Sequence, residues 1–126
     1  MGDERGKLIS IEALRNVPFE IKRVYWIFDT VPDQDRGCHA HKNMEQLIVA
    51  MDGACKFILD DGKKRESLWL NRPDQGLYIG KDMWREMKDF SYGCKLMVLA
   101  NGYYDENEYI RKYDDFIKMI NEKKND

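Results

Sequence analysis

Histidine is nearly absent from this chain, with two residues in 126. Cysteine is scarce as well. Cys38, Cys55 and Cys94 form an odd set with no CxxC pair, which argues against a disulfide framework and a zinc knuckle. Free thiols suit a reducing cytosol. No stretch approaches the roughly 20 apolar residues of a membrane-spanning helix. The N-terminal segment MGDERGKLIS has no apolar run, which argues against a signal peptide. Neither sign of charge dominates: 21 basic and 23 acidic side chains leave a net charge of -2. That gives no electrostatic footprint for nucleic acid or an anionic membrane, so any phosphate must be held by a few placed arginines or lysines. Repeats, linkers and low-complexity blocks are missing too, apart from a solvated tail at Asn121 to Asp126. These absences predict a soluble cytoplasmic protein with no nucleic-acid or membrane partner.

What is present predicts one globular domain over residues 1–126. Hydrophobic residues make up 43% and aromatics 12%, enough for a core without a staple. Short β-branched and aromatic runs are punctuated by turns. Lys7 to Glu12 alternates like a half-buried strand, and Ile21 to Phe28 is strand-like. Further strands are predicted at Leu47 to Met51, Cys55 to Leu59, Glu66 to Leu70, Leu77 to Ile79, Met83 to Met87 and Lys95 to Ala100. Asp52-Gly53 and Asp61-Gly62 both read as hairpin turns. Turns at this spacing favour an all-β sandwich or barrel over βαβ units. From Asn107 to Glu122 the pattern changes. Tyr109, Ile110, Tyr113, Phe116, Ile117 and Ile120 recur at spacings of three and four, which predicts a short C-terminal helix packed on the outside of the barrel.

Both histidines fall in Arg36-Gly37-Cys38-His39-Ala40-His41. On a strand, residues i and i+2 face the same side, so the imidazoles are expected side by side and Cys38 turned away. Imidazoles titrate near neutrality, which suits a pair of them to moving protons.

After His41 come four residues, then Gln46, then six, then Gly53. This resembles the first motif of cupins, HxHx4Ex6G, with Gln46 where metal-binding members carry Glu. The chain has no third histidine, and Arg85 stands in the region where the second cupin motif brings one. Two imidazoles, an amide and a guanidinium make a poor metal centre, so no metal is expected. Glu45 should face away and is not a replacement ligand. The expected fold is therefore a cupin, a double-stranded β-helix or jelly-roll barrel.

The resemblance narrows further. The segments Arg5-Gly6-Lys7-Leu8, Pro18 to Tyr25, Arg36 to Lys42, Gly76 to Gly80, Trp84 to Met87 and Tyr103 to Glu106 occur in order over nearly the whole chain. Together they resemble the WxcM-like sugar 3,4-ketoisomerases that act on dTDP-4-keto-6-deoxyglucose. The resemblance implies a metal-independent homodimer without a cofactor, exchanging its N-terminal strand and binding a dTDP-sugar in the barrel mouth. Its 3-keto product would feed an aminotransferase that makes 3-amino sugars for surface polysaccharides such as the O-antigen of lipopolysaccharide. His39 and His41 are then the expected acid and base. Arg36 is a candidate for the diphosphate or an oxyanion. Tyr25 is a candidate for hydrogen-bonding sugar or phosphate, Gln46, pointing into the barrel at the substrate site, for orienting an imidazole or a hydroxyl, and Arg23 for phosphate. Arg5 and Arg85 occupy the positions at which family members differ with the configuration left at C4. Arginine at both mixes the galacto- and gluco-yielding patterns, with Arg5 leaning towards galacto. Tyr103 and Tyr104 are expected in the core or an interface, and Trp84 as barrel filling.

Three alternatives compete. The dTDP-4-keto-6-deoxyglucose 3,5-epimerase begins with similar chemistry, but is expected to be longer and to pair a His with an Asp. A metal-dependent cupin and a non-catalytic ligand-binding cupin are the others.

Overall fold

The computed structural model describes residues 6–31 and 34–124, together with the backbone of 2–3. Among the described residues, eleven strands and one α-helix follow in order: β1 Gly2–Asp3, β2 Gly6–Lys7, β3 Arg23–Ile27, β4 Arg36–His41, β5 Gln46–Asp52, β6 Cys55–Asp60, β7 Arg65–Leu70, β8 Gly76–Ile79, β9 Trp84–Lys88, β10 Lys95–Ala100, β11 Tyr109–Ile110 and α1 Tyr113–Lys124. A four-stranded sheet has the order β3-β10-β5-β8 and a five-stranded sheet the order β11-β4-β9-β6-β7. Both are antiparallel throughout. Successive strands mostly fall in different sheets, as the double-stranded β-helix of the cupins requires.

Strand alternation builds the interior. On β10, Leu96, Val98 and Ala100 are buried while Lys95 is exposed. Leu96 and Val98 meet Ile48 and Ala50 from β5, Phe57 from β6, Ile79 from β8 and Met87 from β9 in one apolar cluster between the sheets. Burying one such side chain contributes about 1.5–3 kcal/mol.

Three expectations about the elements need correcting. Asp52-Gly53 is no hairpin: β5 pairs with β10 and β8, and β6 with β7 and β9, so the turn carries the chain from one sheet to the other. Asp61-Gly62 does close the β6–β7 hairpin. Its Asp60 and Asp61 carboxylates accept the turn's backbone N–H groups. The strand predicted at Lys7 to Glu12 shortens to Gly6–Lys7, paired with β1, and Leu8 and Ile9 after it are exposed. The helix starts at Tyr113, not Asn107. Asp105 caps a 3-10 turn at Glu106–Glu108, and Tyr109–Ile110 then pairs with β4, covering an edge that would otherwise be open.

Helix α1 carries Asp114 and Asp115 in its first turn and Lys123 and Lys124 in its last, both favourable to its dipole. Phe116 packs it on Ala40, Trp84 and Ile110. Trp84 thus fills the layer between sheet and helix rather than the barrel, because alternation on β9 turns Arg85 and Met87 inward. Its indole donates to Glu86 at 2.9 Å. Tyr113 latches the helix by donating to Asp60 at 2.6 Å.

Candidate active site

Strand β4 sets the site. Ala40 faces α1, so His39 and His41 face the barrel interior, as alternation predicts. Their Nε2 atoms lie 3.1 Å apart, with the rings nearly perpendicular at 85°. Exposure is 9% for His39 and zero for His41. Burial, and next the charge of Arg85, hold both imidazoles well below the usual range, so both are neutral at neutral pH. A neutral imidazole has one N–H and one lone pair. The contact therefore needs one ring with its proton on Nε2 and the other with its proton on Nδ1. A single proton lies between the two bases.

Arg85 lies opposite His39 on β9 and is 2% exposed. It donates through Nη1 to Gln46 Oε1 at 2.6 Å and through Nη2 to the Met83 carbonyl at 3.1 Å. Burial lowers its pKa to about 10, so it remains a cation at neutral pH. Gln46, also buried, donates through Nε2 to the Tyr25 hydroxyl at 3.0 Å. The amide therefore orients Arg85 and Tyr25 rather than an imidazole. Burial raises the Tyr25 pKa, keeping a proton on an oxygen whose lone pair is already engaged. That hydrogen is free to point at a ligand. The amide oxygen, which would be the fourth cupin ligand, is occupied by the guanidinium. Among the described residues, no three of His, Cys, Asp and Glu converge as a metal set.

Arg23, half-buried on β3, lies over the rings of Tyr25 at 4.9 Å and Tyr104 at 5.7 Å. Arg36 stands apart from this group. A bulge on β4 between Arg36 and His39 puts Arg36 opposite Met87. The extra residue restores the inward face that a spacing of three would have lost. Gly37 makes the bulge, with φ of +64°, and a Cβ there would stand 2.3 Å from Met87 Cε, so the end of that side chain would have to move. Arg36 itself is exposed and has no ion pair among the described residues. Cys38 is exposed and turned away as expected. Glu45 also faces away, accepting from Asn101 at 2.9 Å and from Tyr78. Arg5 lies outside the described residues.

The sequence reading overlooked Tyr109. It lies opposite His41 in the sheet, and its ring is 4.9 Å from His39 and 4.5 Å from His41. Tyr103 and Tyr104, expected in the core or an interface, are exposed to solvent among the described residues. Tyr104 flanks Tyr109, with ring centres 5.7 Å apart. The signal was the alternation Tyr109-Ile110-Arg111, masked by a helical period that begins in earnest four residues later.

The comparisons fit this geometry. The family model described as "FdtA: WxcM-like, C-terminal" matches residues 1–121. A TDP-4-oxo-6-deoxy-alpha-D-glucose-3,4-oxoisomerase from Aneurinibacillus thermoaerophilus is 53% identical over 118 residues, covering 94% of this chain and 85% of the relative. Among solved structures, the WlaRB TDP-quinovose 3,4-ketoisomerase from Campylobacter jejuni is 61% identical with a TM-score of 0.91, covering 94% of this chain and 91% of its own. A 3,4-ketoisomerase from Helicobacter canadensis is 58% identical with a TM-score of 0.94, covering 96% and 91%. By sequence, fold and arrangement of the inward-facing strand, the chain belongs to the FdtA, WxcM-like C-terminal family of sugar 3,4-ketoisomerases.

Proposed function

We propose that this protein is an isomerase that converts dTDP-4-keto-6-deoxyglucose to a dTDP-3-keto-6-deoxyhexose, with His39 and His41 as the proton-transfer pair. The observation that carries this reading is the pair itself. Two neutral imidazoles share one proton beside a buried cation and an oriented hydroxyl. The 53% identical relative is named for the same conversion.

The chemistry follows from the substrate. The hydrogen on C3 is acidified by the neighbouring C4 ketone. A neutral imidazole takes that proton, the C3–H electrons become a C3=C4 bond, and the carbonyl pair moves onto O4. The resulting enediolate carries its charge next to Arg85 and Tyr25, a fixed cation and a donor of the kind that stabilises an oxyanion. A proton then passes from O3 to O4. As C3=O forms, the double-bond electrons take a proton at C4 from the imidazolium. One proton leaves C3 and one arrives at C4, so the sum is an isomerisation with no net redox change. His39, the more exposed of the two, is the ring that can touch the sugar. His41, fully buried behind it, tunes and refills it through the shared proton. Arg23 and Arg36 are the arginines available for the diphosphate.

The enzyme acts in the cytoplasm, where Cys38, Cys55 and Cys94 stay reduced, and supplies an aminotransferase of surface-polysaccharide synthesis. It works as a homodimer. The exposed Val24 and Trp26 on edge strand β3, Phe28 just after it, and the exposed Leu8 and Ile9 support this.

Incubation of the protein with dTDP-4-keto-6-deoxyglucose in deuterated water, followed by a 3-aminotransferase and NMR of the amino sugar, tests the reading. A 3-amino sugar is expected. Deuterium at C5 with the C4 ketone retained would show epimerisation and overturn it.

A further inference from the structure

Among the described residues, each imidazole of the pair has one hydrogen-bond partner, the other imidazole. The usual means of fixing a catalytic histidine is an acceptor on its remaining nitrogen. Here it is missing: His41 Nδ1 is buried with no partner among the described residues. Polar contacts alone therefore leave the two rings free to rotate together. Packing must hold them, and the Tyr109 ring lies against both.

We propose that Tyr109 is a positioning residue, its ring acting as the wall that fixes both imidazoles and the proton between them. This rests on the reading of His39 and His41 as the proton-transfer pair. The placement is over-determined. Strand β11 is pinned on one side by Ile110, buried against the layer beneath α1, which sends Tyr109 to the opposite, histidine-facing side. The ring meets His41 at 63° and His39 at 49°, so it contacts both at once. From outside, the Arg111 guanidinium lies 4.5 Å from the centre of the Tyr109 ring. Arg111 is itself clamped by Glu106, donating through Nε at 2.7 Å and Nη2 at 2.9 Å. Tyr104 donates to the same carboxylate at 2.5 Å and flanks Tyr109. A bidentate pair of this kind fixes a guanidinium plane, and the plane backs the ring. Glu106 and Arg111 are exposed partners that do not touch the histidines. They hold the Tyr109 ring, and the Arg111 charge also reaches both imidazoles.

A wall needs a ring and not a hydroxyl. This distinguishes positioning from direct catalysis. The test compares Tyr109→Phe, Tyr109→Leu and Arg111→Gln in the full-length protein. Because the chain has two histidines, long-range proton–nitrogen NMR reports both rings without overlap and needs no substrate. In the unaltered protein and in Tyr109→Phe, the nitrogen shifts are expected to show two distinct tautomers, and turnover of the dTDP-4-keto sugar in Tyr109→Phe recovers to within about three-fold. In Tyr109→Leu the shifts should move towards tautomer averages. Turnover should fall about 100-fold with KM within about three-fold, as expected when reacting groups are misplaced by around an ångström. Arg111→Gln, a change at an exposed side chain, should give the same signature at about a tenth of that loss, and stands in if Tyr109→Leu does not fold. Equal loss in Tyr109→Phe and Tyr109→Leu would assign the effect to the hydroxyl and overturn the proposal. So would unchanged imidazole shifts in Tyr109→Leu, or in Arg111→Gln where Tyr109→Leu is unfolded. If the substrate assignment failed instead, the shifts would still respond while no variant turned the sugar over.

Discussion

Burying two imidazoles as neutral bases has a consequence for stability that does not depend on substrate. In the unfolded chain each histidine titrates near 6.5, whereas in the folded protein burial and the Arg85 charge hold both far lower. As the pH falls below 6.5 the unfolded state takes up two protons that the folded state refuses, so stability falls with falling pH. Each ring contributes about 1.4 kcal/mol of this loss at one pH unit below its unfolded value, and about 0.1 kcal/mol one unit above it. Between pH 7.5 and 5.5 the pair should therefore remove roughly 2.7 kcal/mol. The carboxylates held low in the fold, Asp60 and Glu106, act in the same sense. Their stabilisation is present above their unfolded values of 3.8 and 4.5 and is lost mostly below this window. With a urea slope of about 1–3 kcal/mol per molar, the urea midpoint should drop by roughly 1–3 M from pH 7.5 to 5.5. In His39→Asn/His41→Asn the drop should nearly vanish. A wild-type midpoint that stays level, or a double variant with the same slope as wild type, would refute the claim that the pair is buried in its neutral form.

Gln46→Leu should lower stability by about 3 kcal/mol, because it leaves the buried Nη1 of Arg85 without its acceptor and only the Met83 carbonyl on the guanidinium. It should also slow turnover by at least about ten-fold as Tyr25 and Arg85 lose their orientation; chemical denaturation and steady-state rates check both. Gly37→Ala should cost about 1–3 kcal/mol from a positive φ and a Cβ driven into Met87, and should reduce turnover by shifting the bulge before His39. Tyr113→Phe should cost about 1–2 kcal/mol of thermal stability with little change in rate, since it removes a hydrogen bond to the Asp60 carboxylate far from the imidazoles.

The barrel and its key strand were legible because strand alternation is a local rule. It placed His39, His41 and Gln46 inward and Cys38 and Glu45 outward from spacing alone. What it missed was decided elsewhere in the chain. Tyr109 joins the site only because β11 pairs with β4 across more than sixty residues of sequence, and no local pattern encodes that pairing. Asp52-Gly53 has the chemistry of a hairpin turn, but which strands it joins depends on the pairing order of whole sheets. Arg36 illustrates the reverse: a spacing of three from His39 points to the opposite face, and only the Gly37 bulge cancels the rule. The role of Gln46 shifted for a similar reason. Its inward direction was readable, but its engagement by Arg85 and Tyr25 required two other strands.

Single substitution of each histidine, with binding and conversion measured separately, bears most directly on the chemistry. His39→Asn and His41→Asn should each bind dTDP with a Kd close to that of the unaltered protein, while conversion of dTDP-4-keto-6-deoxyglucose followed by NMR falls at least about 100-fold, and further for His39 than for His41. Full conversion rates in His39→Asn would contradict the account.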